Sequence, residues 1–183
     1  MSKSALIILA DGFEEIEATS CIDILRRAQI KVTVAGLSDI KIRSARNLIV
    51  TTDKMLDELG PDFDACILPG GGTGAKNIAA SVKAARIIKE MHQKGKIIAA
   101  ICASPAIVLY PLGLLRHKSA TCYPGMQDTF NDDVSYKNDD VVVDGNIITS
   151  KGPATSIGFA LKITEILIDK VTAEEIAKDI LYR

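Results

Sequence analysis

Lys96-Ile97-Ile98-Ala99-Ala100-Ile101-Cys102-Ala103-Ser104-Pro105-Ala106-Ile107-Val108-Leu109 reads as a strand that ends on a cysteine and turns at once into a helix. Ser104 has the chemistry of an N-cap and Pro105 that of a first helical residue. Cys102 is thereby predicted on a tight strand-to-helix turn, with small neighbours Ala100 and Ala103 that let a nucleophile elbow form. A sulfur at the positive end of a helix dipole is expected to have a lowered pKa and to favour thiolate. The plainer alternative is a small buried hydrophobe at the end of a core strand.

Working outward, Ala5–Ala10 and Ala65–Leu68 are further continuous apolar runs, the pattern of strands covered on both faces of a parallel sheet. Lys31–Ala35 is a short β-branched strand, and residues 48–52 form another outside the main alternation. Asp11 and Glu14 have the spacing of a capping box, so a helix is predicted from about Glu14 to Ala28. Val82–Lys94 is amphipathic, with Val82, Ala85, Ile88 and Met91 on one face and Gly95 as its stop. Residues 131–146 carry Asn/Asp turns, 146–150 the last strand, and 157–168 a helix apolar nearly all round. Thr172-x-x-Glu175 caps a final helix carrying Ile176 and Ile180. Strands alternating with helices predict a three-layer α/β fold with a mainly parallel sheet.

The chain has 183 residues, long enough to bury roughly 70 % of its unfolded surface as one domain. A net charge of −1 gives no electrostatic reason for a nucleic-acid or anionic-membrane partner. The apolar stretch after Lys3 is too short for a signal h-region or a span, so a cytoplasmic protein is expected. Cys21, Cys66, Cys102 and Cys122 include no C-x-x-C pair, which speaks against a zinc site and a disulfide framework. His92 and His117 sit beside lysines and read as surface residues, which leaves an ordinary Cys-His dyad unsupported.

In α/β sheets, ligands bind beyond the carboxyl ends of the strands. Residues 11–17, the glycine loop 70–74 and Cys102 all converge there. Gly70-x-Gly72-x-x-Ala75 meets the dinucleotide fingerprint formally, yet it lies late in the chain, and the next strand ends in Cys102 rather than an acid. No Lys-Ser/Thr follows it, so it is not a P-loop, and no cofactor is expected. The loop is better suited to bring backbone N–H groups to the sulfur or to a developing oxyanion. Glu14 and Glu15 read as solvated carboxylates at a helix start. Glu17 faces elsewhere, towards the sheet's carboxyl edge; a carboxyl buried near the thiol has a raised pKa and can move a proton.

Asp11–Glu17, Leu68–Gly71, Ala99–Pro105 and Thr149–Ser156, in this order and at these separations, resemble the ThiJ/PfpI superfamily. More narrowly, they resemble the branch of the parkinsonism-associated deglycase and its bacterial YajL-type relatives. The resemblance implies a flavodoxin-like sandwich, a homodimer, an elbow nucleophile at Cys102 and a protonated carboxyl at Glu17. It also implies thiolate or oxyanion donors in the amides of Gly70, Gly71 and Ala103. Departures matter too: Ala103 replaces the histidine of the protease-like branch, no His-x-Glu follows as in glutamine amidotransferases, and Tyr123 stands where some members place a histidine.

Two functional expectations follow from the resemblance and the thiol. The first is a cofactor-free glyoxalase or protein deglycase acting on small reactive carbonyls or glycated side chains. The second is a redox-sensing, chaperone-like protein whose Cys102 is oxidised to sulfinate. The helix 14–28 has apolar residues on more than one side, Ile16 and Ile22 among them, which one sheet face does not cover. A second subunit is expected to bury the remainder, with Arg27 and Arg46 at the rim.

Overall fold

The computed structural model describes residues 2–182. Eleven strands run in chain order as β1 (Ser4–Leu9), β2 (Lys31–Gly36), β3 (Lys41–Arg43), β4 (Ile49–Thr51), β5 (Lys54–Met55), β6 (Ala65–Leu68), β7 (Ile97–Ile101), β8 (Ser119–Ala120), β9 (Ser135–Tyr136), β10 (Val141–Asp144) and β11 (Ile147–Ser150). The helices are α1 (Glu15–Arg27), α2 (Gly72–Ala80), α3 (Val82–Gln93), α4 (Ser156–Leu167) and α5 (Lys170–Asp179). Seven strands form one sheet in the order β10-β11-β7-β6-β1-β2-β5. All its pairings are parallel except the β10–β11 hairpin. Helices α1, α4 and α5 pack together as one outer layer, and α2, α3 and the π-helical segment Pro105–Leu109 as the other. This is the flavodoxin-like three-layer α/β sandwich.

Burial follows the apolar runs. Residues 5–9 of β1, all of β6 and residues 98–101 of β7 have no exposed surface, as central strands covered on both faces require. From β1 the chain moves to β2 on one side, then to β6 on the other. The loops after β1 and β6 therefore part from each other and leave a crevice, the topological switch point where such sheets bind ligands.

Several local expectations are corrected. Asp11 does not cap α1: its Oδ1 accepts the Arg43 amide at 2.8 Å, and Glu14 takes the N-cap position without a side-chain bond. The glycine-rich stretch does not stay a loop, since α2 begins at Gly72, with the Ala75 amide bonded to the Gly71 carbonyl at 2.9 Å. In α3 the buried face is Ala84, Ile87, Ile88 and Met91, whereas Val82 is 85 % exposed. Asp169, rather than Thr172, caps α5 by accepting the Thr172 amide at 2.8 Å, so the helix starts earlier than its capping-box reading. α4 is not covered all round, because Ile166 remains 39 % exposed. His92 is half-buried against Asn146, and burial lowers its pKa.

Candidate active site

The site is assembled at the crevice from three strand ends. β7 delivers Cys102, whose φ of 64° lies in the left-handed region that side chains rarely adopt. The turn is clamped on both sides: the Cys102 amide donates to the Ser150 carbonyl at 2.9 Å, and the Cys102 carbonyl accepts the Tyr123 amide at 2.8 Å. Behind it, the buried Ser104 hydroxyl donates to the Pro69 carbonyl at 2.6 Å, tying the elbow to the loop after β6. Ser104 is therefore a cross-strand tie and not the N-cap its sequence suggests; its backbone is helical and its side chain makes no cap bond.

Glu17 arrives from the first turn of α1 and is fully buried. Its Oε2 accepts the Gly70 amide at 2.7 Å. Gly70 sits so close to both groups that a Cβ there would lie 2.5 Å from the Cys102 Cβ and 2.9 Å from Glu17 Oε2. No other residue type fits. Gly71, at φ 83°, turns its backbone so that its amide acts on the Cys102 sulfur, as does the amide of Ala103. Cys102, Glu17, Gly70, Gly71 and Ala103 are thus brought together, and of the two arginines Arg46 lines the same cavity as Cys102 whereas Arg27 does not.

Burial raises the Glu17 pKa from 4.5 to about 7, with the Gly70 amide pulling the other way. Burial also pushes the Cys102 thiol up to about 12; the Glu17 charge adds to this, and the Gly71 and Ala103 amides oppose it. That corrects the expectation of a thiol pKa lowered by a helix dipole. Burial of the sulfur and the carboxyl beside it outweigh the helical turn that follows Cys102. The two groups titrate as a coupled pair, with the carboxyl losing its proton before the thiol.

The sulfur opens into a cavity of about 460 Å³ lined by Glu14, Arg46, Lys76, Ile107, Tyr123 and Met126 among others. Cys102 is 8 % exposed, while Cys21, Cys66 and Cys122 are 0 % exposed, so it is the accessible thiol of the four. Arg46 stands at the cavity mouth, on the turn between β3 and β4. Arg27 ends α1, about 18 Å along the helix from Glu15 at 1.5 Å per residue, and pairs with Asp23 at 2.7 Å. Glu15 is not simply solvated: Oε1 accepts the Ser44 hydroxyl at 3.0 Å and Oε2 is buried without a partner. Sequence reading missed the lining contribution of Lys76 and Met126, which lie far from the cysteine in the chain and carry no motif.

A strained cysteine on a strand-to-helix elbow, with a buried carboxyl and backbone N–H groups beside it, defines a class of α/β sandwich proteins with a cysteine at the sheet's carboxyl edge. The profile of the DJ-1/PfpI family matches residues 3–166, and the chain belongs to that family. Protein dj-1beta of Drosophila melanogaster is 44 % identical over 99 % of this chain and 98 % of its own. The glutathione-independent glyoxalase DJR-1.2 of Caenorhabditis elegans is 35 % identical over 90 % of this chain and 89 % of its own. Among solved structures, oxidized DJ-1 of Toxoplasma gondii superposes with a TM-score of 0.96 at 40 % identity, covering 99 % of both chains. No helix among the described residues is long and apolar enough to cross a membrane.

Proposed function

We propose that this protein is a cysteine-dependent, cofactor-free glyoxalase and protein deglycase that acts on methylglyoxal or its adducts in the cytoplasm, as part of carbonyl and oxidative stress defence. The observation that carries the reading is the meeting of an elbow thiol that lines the cavity with one fully buried carboxyl beside it. The Caenorhabditis elegans relative's name supports it. With the shared proton on Glu17, the sulfur is a thiolate facing the Glu17 O–H and the Gly71 and Ala103 amides. The thiolate adds to the aldehyde carbon, and the oxygen so formed takes the Glu17 proton. The Glu17 carboxylate then removes the C–H proton of the hemithioacetal and returns it to the neighbouring carbon, while the hydroxyl proton passes to that carbon's oxygen, leaving a lactoyl thioester on Cys102. Water cleaves the thioester to lactate and the free thiol. On an adduct, the amine or thiol leaves with the proton as sulfur adds.

Lactate formation from methylglyoxal without glutathione should vanish in Cys102→Ser and fall at least about 100-fold in Glu17→Gln, the general acid–base contribution. It should rise through pH 7 as the pair loses its first proton. Undiminished turnover in Cys102→Ser overturns the mechanism. A second reading, oxidation of Cys102 to sulfinate in a redox-responsive, chaperone-like protein, is favoured by the oxidized state named for the Toxoplasma gondii relative. Mild peroxide should then add two oxygens to Cys102 before the other cysteines react, and even oxidation of all four refutes it.

The protein acts, in this proposal, as a homodimer joined through α1. Ile16, Leu48 and Ile49 are 52 %, 48 % and 53 % exposed, an apolar area that a second copy would cover, with Arg27 and Arg46 at its rim.

A further inference from the structure

A second cavity, larger than the one that holds Cys102, adjoins it. It encloses about 840 Å³, and the two share Ala45, Arg46 and Gly72 as a common wall. Lys41, Arg43 and Arg46 line it against a single carboxylate, Asp11; across the shared wall, on the cysteine side, Lys76 and Glu14 add one charge of each sign. Asp11 is already engaged, since its Oδ1 accepts the Arg43 amide. None of the four cations has a carboxylate within ion-pair distance among the described residues. The chain as a whole has a net charge of −1, so this concentration of positive charge is local.

The backbone that carries the cations is also held in place. The β3–β4 hairpin that carries them is fastened to the loop leading into α1: the Gly12 amide donates to the Arg43 carbonyl at 2.8 Å and the Ala45 amide to the Phe13 carbonyl at 2.8 Å. Ser44 then joins the hairpin to Glu15, two residues before Glu17. The same short segment thus positions both the carboxyl beside the sulfur and the backbone that carries the charges next door.

We propose that Lys41 and Arg43, with Arg46, form a subsite for the anionic end of a carbonyl substrate whose electrophilic carbon reaches Cys102. The favoured substrates are electrophilic carbonyl compounds bearing a carboxylate or phosphate, longer than methylglyoxal itself. This rests on the reading of Cys102 as the nucleophile, and it adds what that reading lacks, a reason for selectivity. Lys41 and Arg43 act by binding and take no part in bond making.

The test compares labelling of Cys102 in the full-length protein by dithiobis(nitrobenzoate), a dianion, with that by neutral dithiodipyridine. Neither requires turnover, so the result stands whether or not lactate is formed. The wild type should favour the anionic reagent, and the preference should shrink between low and high salt. Lys41→Gln with Arg43→Gln should lower the ratio of the two rates about fivefold, the scale of two exposed charge interactions, with the neutral rate unchanged. Lys31→Gln, on an exposed residue at the start of β2, should leave the ratio alone. Inorganic phosphate and succinate, added separately, distinguish the two anion chemistries by which one slows the anionic reagent in the wild type and not in the double variant. An unchanged ratio in the double variant, or an equal fall in both rates, overturns the subsite. Loss of lactate formation in Cys102→Ser alone speaks only to the catalytic reading.

Discussion

Replacing Gly70 by alanine should damage the site without touching a titratable group. The new Cβ would sit 2.5 Å from the Cys102 Cβ, 2.9 Å from Glu17 Oε2 and 3.0 Å from the Cys102 sulfur. Ordinary carbon contacts begin near 3.5 Å, so something has to move by about 1 Å. The elbow has little room to give, since Ser150, Tyr123 and the Ser104–Pro69 tie hold it from three sides. Overpacking of this kind costs about 1–3 kcal/mol, read as a lower urea midpoint at unchanged slope. The same displacement separates Glu17 from the sulfur, and a 1 Å misplacement of reacting groups lowers turnover about 100-fold.

Gly72→Ala is the matched control two residues on, where a Cβ meets nothing within 4 Å. Urea titration and lactate formation on both variants decide the matter. Gly70→Ala with a wild-type midpoint and wild-type kcat would refute the claim that close approach, rather than flexibility, fixes glycine at this position.

Three further outcomes are expected. Glu17 binds its proton more tightly folded than unfolded, so the native state holds more protons between pH 4.5 and about 7 and its stability falls as pH rises through that window. The full cost above it is about 3 kcal/mol, and Glu17→Gln, which lacks it, should gain that much on the wild type from pH 4.5 to 7.5 in denaturant titrations; a constant difference refutes the raised pKa. Ser104→Ala leaves the buried Pro69 carbonyl without its donor and should destabilise by about 1–3 kcal/mol, while an effect below about 0.5 kcal/mol means the tie is not structural. Light scattering at micromolar concentration should give twice 19.6 kDa, and Ile16→Lys, a charge met twice across a two-fold contact, should give the monomer; a monomeric wild type removes the dimer.

What was legible in the sequence follows from what made it legible. β1, β6 and β7 are buried on both faces, and such strands leave unbroken apolar runs that need no tertiary context to read. The convergence of Glu17, the glycine loop and Cys102 was legible because parallel topology alone sends those segments to one edge. Features set by contacts distant in the chain were not. Asp11 has capping-box spacing, but the Arg43 amide, 32 residues away, claims its carboxylate. α2 starts in Gly72-Thr73-Gly74, a poor helix former, because Gly74 must lie against Phe13, where a Cβ would be 2.8 Å from backbone. β3 escaped notice because Lys41-Ile42-Arg43 offers one apolar residue, yet Ile42 is fully buried and the two cations beside it are exposed. The thiol pKa depends on the same kind of distant contact. Local sequence reports a helix start, but the charge on a sulfur is decided by burial and by a carboxyl 85 positions earlier in the chain. Local pattern therefore placed Cys102 at the elbow, and its ionisation belongs to the assembled site, where Glu17 and Cys102 titrate as a pair.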